Sequence, residues 1–216
     1  VQYAVLSDIH SNLAALEAVW RAVETAGLTD RLVLNAGDTV GYGPNPEACV
    51  NFLRGHSECV SVKGNYDKNV ALYPEREAEY CKKWAGSRPD KLDAIRRDSE
   101  AISAKTRRWL LDLSAEISVT LDSFPITLTH YSPGSKEGIG VWTPDARLAE
   151  LAETIDAKVV VCGHTHTPFV RSVGGILWVN PGSAGRDLDG KYRYAVLTLE
   201  PNRAPTAELK SLRGET

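Results

Sequence analysis

The chain has 216 residues, with 25 Lys and Arg against 28 Asp and Glu and a formal charge of -3. Hydrophobic residues make up 43% and charged residues 25%, ordinary globular usage that excludes a low-complexity chain and is enough for one soluble domain with a real core. The mild acidity gives no global basic field, so nucleic acid is possible but not favoured as a partner, and no apolar run is long enough to span a bilayer, so no membrane partner is expected.

Short apolar runs alternate with amphipathic helical patterns, which points to an α/β layer fold. Tyr3 to Leu6 predicts a buried strand. Leu13, Leu16, Val19, Trp20 and Val23 then fall at helical spacing, with Ser11 or Asn12 as N-cap and Gly27 as a stop signal. A second unit has strand Arg31 to Leu34, a Gly/Pro-rich loop from Gly37 to Pro44, and a helix opened by Asn45-Pro46 and closed near Gly55. Cys59 to Val62 predicts a third strand, and Glu75 to Leu113 is charged and mostly helical. Ile117 to Leu121 and Ile126 to Thr129 flank Asp122-Ser123, a hairpin signal. A helix starting at Thr143-Pro144-Asp145 precedes strands Val159 to Cys162, Ile176 to Val179 and Tyr194 to Leu199. With no repeat and no linker, one domain over residues 1–216 is expected, with a charged helical segment at about 72–113.

Cys49, Cys59, Cys81 and Cys162 form no C-x-x-C pair and read as packed apolar side chains. Val1 to Leu6 is too short for a signal-peptide core and lacks a basic flank, so the cytoplasm is the default address. From Glu75 to Arg108, ten basic residues stand against seven acidic ones. A solvated helical face explains that excess, and a surface guiding an anionic substrate is the alternative.

The polar residues that stand out follow directly on predicted strands: Asp8 and His10, Gly37-Asp38, Gly64-Asn65-Tyr66-Asp67, His130, and Gly163-His164-Thr165-His166. Ligands in α/β sheets bind outside the carboxyl ends of strands, so these five loops are expected to converge on one crevice. In Asp8-Ile9-His10, extended chain puts both polar side chains on one side, and His164-Thr165-His166 has the same spacing. Taken singly, Asp8 reads as a helix cap, the two Gly-containing pairs as turns, and His130 as a hydrogen-bonded structural residue. Together, Asp8, His10, Asp38, Asn65, His130, His164 and His166 form an O/N ligand set large enough for two borderline divalent ions.

The order D-x-H, G-D, G-N-x-D, a lone His, then G-H-x-H resembles the calcineurin-like metallophosphoesterase superfamily over residues of about 4 to 199. Ser11-Asn12-Leu13, Gly41-Tyr42-Gly43-Pro44 and Asn180-Pro181-Gly182-Ser183 look most like its small bacterial and archaeal phosphodiesterase branch. The resemblance implies a single-domain, four-layer αββα sandwich of two mixed sheets flanked by helices. It also implies a dinuclear site for Mn, Fe, Zn or Ni. By matching positions, one ion is held by Asp8, His10, Asp38 and His166. The other is held by Asp38, Asn65, His130 and His164, with Asp38 bridging. The implied reaction is hydrolysis of a small-molecule phosphate ester by attack of a metal-bridging hydroxide, with Asn12 and Asn65 near the phosphate.

One position departs from the family pattern: Tyr66 stands where a His usually follows Gly-Asn. An unperturbed Tyr has a pKa of about 10, so it donates a hydrogen bond but shuttles protons poorly at neutral pH. That favours diesters, whose leaving groups need less protonation, over alkyl monoesters. Two other readings are a metal-binding interaction scaffold, as a retromer coat subunit of this fold is thought to be, and a nuclease using the basic segment. All seven ligand positions are filled, which speaks for an enzyme.

Overall fold

The computed structural model describes residues 1–186 and 189–213. At its centre is β1 (Gln2–Leu6), all but its first residue buried. It pairs in parallel with β2 (Val33–Asn35) and antiparallel with β9 (Lys191–Thr198). β3 (Cys59–Ser61) and β10 (Thr206–Arg213) complete the order β10-β9-β1-β2-β3. Successive side chains of a strand point to opposite faces. Tyr3 and Val5 therefore join the core between two sheets, while Ala4 and Leu6 pack with α1 (Leu13–Thr25) and α2 (Pro46–Gly55).

The second sheet has β4 (Glu116–Leu121), β5 (Phe124–Thr129), β6 (Val159–Val161), β8 (Ile176–Asn180) and β7 (Phe169–Val173) in that spatial order, with β5, β6 and β8 parallel. Val159 and Val161 face the first sheet, and Val160 and Trp178 face α6 (Asp145–Ala152). The result is the four-layer αββα sandwich that the resemblance implies. α3 (Asn65–Trp84), α4 (Pro89–Ala101) and α5 (Ala104–Asp112) pack around their own apolar cluster, which includes Val70, Trp84, Ile95 and Leu110. No described helix is long and apolar enough to cross a membrane.

Several local expectations change. β7 and β10 are strands the apolar pattern does not predict: both are sheet edges, and β10 alternates exposed and half-buried residues. Gly64-Asn65 opens a helix instead of a turn, because Asp67, at the third helical position, accepts the Gly64 N–H at 2.8 Å. α3 thus starts well before Glu75 and bends at Arg76, where φ is -125°, just after Pro74. His56, the residue that follows α2, is half-buried between Trp20 and Phe52, with ring centroids 4.4 and 4.3 Å away.

The helical segment is fastened to the loops after β1 and β2 by Asp98 of α4. Its buried carboxylate accepts the Ser11 hydroxyl at 2.5 Å and the Gly41 N–H at 2.7 Å. Asp98→Ala leaves the Ser11 hydroxyl without its acceptor, while the Gly41 N–H keeps Ser11 Oγ at 2.9 Å, so it is expected to lower stability by about 2 kcal/mol. Asp98→Asn keeps an acceptor and costs less. Urea unfolding checks both, and a loss within 0.5 kcal/mol for the alanine variant, the ordinary surface range, would remove Asp98 as the fastening point.

Candidate metal centre

Every proposed ligand leaves the carboxyl end of a parallel strand: Asp8 and His10 after β1, Asp38 after β2, Asn65 after β3, His130 after β5, His164 and His166 after β6. The β1–β2 pairing continues into the loops as bonds from Asp8 N to Gly37 O (2.9 Å), His10 N to Asp38 O (3.0 Å) and Ser11 N to Thr39 O (2.9 Å). The loops are not extended, as the D-x-H spacing suggested. Asp8, His10, Asp38, His164 and His166 all have positive φ, between 51° and 69°. Such backbone costs on the order of 1 kcal/mol or more per residue and persists only where surroundings enforce it.

Each carboxylate anchors one oxygen and aims the other inward. Asp8 Oδ2 accepts Ser7 Oγ at 2.6 Å and the His164 N–H at 3.0 Å. Its Oδ1 is buried with no hydrogen-bond partner, facing Nε2 of His166 at 3.2 Å and of His10 at 3.6 Å. Asp38 Oδ1 accepts the Tyr66 N–H at 2.7 Å, while Oδ2 faces Nε2 of His130 at 3.4 Å and of His10 at 3.9 Å. Asp38 Oδ2 therefore lies within reach of both halves of the cluster.

The imidazoles are held by the ring nitrogen that points away. Nδ1 of His10, His130 and His166 faces the carbonyl oxygens of Val40 (3.3 Å), Ala36 (2.7 Å) and Arg186 (3.1 Å). A carbonyl only accepts, so Nδ1 carries the hydrogen and the neutral ring presents a bare Nε2 to the centre. Nε2 of His10 and of His166 are 2.9 Å apart, and Asn65 Oδ1 is 3.4 Å from His130 Nε2. With the rings neutral, lone pairs thus converge without a donor, an arrangement that fits cations. Ligand atoms of Asp8, His10 and His166, and of Asp8, Asp38 and His130, lie within 4.8 Å of one another. His164 is outside both groups and sits at the margin, its ring centroid 5.2 Å from that of His130 and 4.6 Å from that of Tyr131.

Without a cation, protons supply the counter-charge. Burial opposes a charged His130, but Asp38 and then Asp8 outweigh it and raise its pKa to about 9. Burial likewise opposes ionisation of Asp8, yet His10 and His166 hold it well below the usual carboxylate range. His164 goes the other way: burial and the His130 charge push it down to about 4, so its ring is neutral.

Other residues frame the cluster. Asp67, the acidic residue of the G-N-x-D motif, accepts backbone N–H groups from Asp38 (2.9 Å), Val40 (3.2 Å) and Gly64 (2.8 Å), and burial and Asp38 raise its pKa to about 7. Its place three residues after Gly64 makes it the capping residue of α3. Tyr131 donates to Asn65 Oδ1 at 3.1 Å, and Arg186 lies 3.6 Å from the centroid of the Tyr42 ring. Ser183 Oγ donates to Asp8 O at 2.6 Å, a bracing role for the Asn180-Pro181-Gly182-Ser183 loop. Gly64 and Gly163 permit close approach: a Cβ would lie 2.1 Å from Asp38 Oδ1 and 2.0 Å from Ser7 Oγ respectively. Asn12 is occupied at both ends of its amide, accepting from Ala15 N at 3.1 Å and donating to Gly185 O at 2.8 Å. Tyr66 directs its hydroxyl to that of Tyr42 and sets its ring edge-on to His10, 5.1 Å between centroids.

A two-sheet sandwich with such a cluster at its strand ends is a metal-dependent phosphoesterase architecture, as the motif order implies. The chain belongs to the calcineurin-like phosphoesterase superfamily, whose domain matches residues 1–202. It is 32% identical to an uncharacterised protein of Methanocaldococcus jannaschii over 191 residues, 88% of this chain and 72% of the relative. A hypothetical protein from Pyrococcus horikoshii shares the fold with a TM-score of 0.81 at 20% identity, over 99% of this chain and 88% of that one. A metallophosphoesterase from Sphaerobacter thermophilus matches with a TM-score of 0.74 at 26% identity, over 100% and 90%.

Metal must displace the proton on His130, so apparent affinity should rise about tenfold per pH unit from pH 7 toward the pKa of about 9 and level off above it. Calorimetry of Mn binding to EDTA-stripped protein in buffers of different ionisation enthalpy would show about one proton released at pH 7. Binding with no proton release and no pH dependence would mean that His130 is not a ligand.

Proposed function

We propose that the protein hydrolyses small-molecule phosphate diesters at a dinuclear centre. One ion is held by Asp8, His10, Asp38 and His166, the other by Asp38, Asn65, His130 and His164, with Mn, Fe, Zn or Ni as the ions. The observation that carries this reading is the donor-free convergence of Asp8 Oδ1, Asp38 Oδ2 and three Nε2 atoms. Bound ions would supply an acidified water for in-line attack on phosphorus and positive charge for the phosphoryl oxygens. The residues of the chain hold and orient. Asp38 is shared between the two halves, the Nδ1–carbonyl bonds fix the imidazoles, and Tyr131 fixes Asn65 Oδ1, leaving the Asn65 amide nitrogen to face a phosphoryl oxygen. We assign Asn12 to capping α1 and bracing the Gly185 loop instead of to phosphate.

The preference for diesters rests on Tyr66 and on the shape of the crevice. Burial, and then the bond to Tyr42, raise the Tyr66 pKa above its ordinary value, so it does not protonate an alkoxide. The crevice opens on two sides, which gives each ester arm a place. A cavity of about 640 Å³ meets Asn65, Tyr131 and His164, and another of about 470 Å³ meets His164, His166 and Arg186. Four free cysteines, three with thiols pushed up to about 12 by burial, support a reducing compartment such as the cytoplasm.

Metal-reconstituted protein should cleave an aryl phosphodiester faster than an alkyl monoester, with an aryl monoester and a cyclic nucleotide assayed in parallel. Asp38→Asn should lower kcat/KM on all of them by about 100-fold or more. Equal rates for Asp38→Asn and wild type would contradict the site. Tyr66→His should raise kcat on the alkyl monoester by about tenfold or more, since a positioned acid contributes roughly 10²–10⁴-fold. No gain would contradict the role given to this position.

A further inference from the structure

The cavity of about 640 Å³ is lined by Lys63, Lys68, Arg76, Lys83, Lys91 and Lys136. Only Glu79 and Glu116 oppose them, a local excess of four positive charges in a chain whose net charge is -3. Arg76 pairs with Glu79 at 2.9 Å, whereas Lys68, Lys83, Lys91 and Lys136 make no ion pair among the described residues. Two of these ammonium groups share one aromatic ring: Lys83 Nζ is 5.2 Å and Lys91 Nζ 4.8 Å from the Trp84 centroid. Lys91 Nζ is also 4.9 Å from the Tyr66 ring, which ties this cluster to the metal centre. Like charges gathered on one wall repel unless an anion lies between them.

We infer that this cavity is a second anion site and that the substrate is an ester carrying a condensed phosphate chain. Its scissile phosphorus lies at the metal centre and its distal phosphates lie between Lys83 and Lys91. The inference rests on the phosphodiesterase reading for the scissile end only. A simple diester carries its one negative charge at the scissile phosphate and leaves the four excess cations of the cavity uncompensated, whereas each further phosphate of a condensed chain brings negative charge among them. A volume of about 640 Å³ falls in the range of roughly 300–1,000 Å³ for small-ligand sites, which favours a small molecule over a polynucleotide. The basic excess of the Glu75–Arg108 segment, through Arg76, Lys83 and Lys91, is then the substrate-guiding surface and not only a solvated face.

Calorimetry on EDTA-stripped protein tests the site without relying on catalysis. Tripolyphosphate should bind at least tenfold more tightly than orthophosphate, with affinity falling as salt rises. Lys83→Ala/Lys91→Ala should weaken tripolyphosphate at least tenfold, with Lys91→Arg restoring much of the loss relative to Lys91→Ala. With metal present, the aryl ester of thymidine triphosphate should be cleaved with a higher kcat/KM than that of thymidine monophosphate. The lysine variant should reduce that ratio at least tenfold. Equal binding of tripolyphosphate to wild type and variants, or orthophosphate binding as tightly, overturns the inference. A single-stranded oligonucleotide that competes as well as tripolyphosphate overturns the small-molecule assignment. If wild type cleaves neither ester with any metal, the phosphodiesterase reading fails, while the calorimetry still decides the anion site.

Discussion

Asp38 ends a three-residue strand with φ at 54°, its Oδ1 held by the Tyr66 N–H and its own N–H held by Asp67. These two bonds, between the loop after β2 and the first turn of α3, leave Oδ2 only one direction: into the space between His10 and His130. Gly64 is bare because a side chain there would strike this carboxylate, and Asp67 is acidic because the N–H groups of two loops must be gathered at one point. The helical segment is therefore part of the site's support, and Asp98 ties it down a second time from α4.

Electrostatically, the centre is a place where the fold works against itself. Two buried carboxylates and three inward-facing ring nitrogens repel one another unless positive charge arrives, and a proton on His130 is only a partial substitute. Five ligand residues in left-handed backbone add strain. The surrounding sandwich offsets these costs, with β1 covered on both faces and β6 and β8 buried along their length. Net acidity of the chain and positive charge along the crevice coexist because the acidic residues are spread out while the lysines of α3 and α4 are gathered on one wall.

Much of this was legible in sequence because strand ends announce themselves. Apolar runs stop abruptly at Asp8, Asp38, His130 and Gly163, and topology brings those stops to one edge. The D-x-H and H-x-H spacing implies convergence along extended chain, whereas the positive φ values show that the backbone turns sharply at each of these proposed ligands. Edge strands β7 and β10 escaped because neither face is fully apolar. Tyr131 and Arg186 escaped because their partners lie in other loops, and the bracing role of Asp67 in the G-N-x-D motif depends on N–H groups of the loop after β2. Lys83 and Lys91 look like a solvated helical face along the chain; only the packing of α3 on α4 turns them toward the same tryptophan.

The central claim is that Asp38 joins two cation sites. Crystals soaked in Mn and measured at its absorption edge test this most directly. The account predicts two anomalous peaks per chain that share Asp38 Oδ2, one also contacting Asp8, His10 and His166 and the other also contacting Asn65, His130 and His164. A single peak, or two peaks that leave Asp38 uncoordinated, would contradict it.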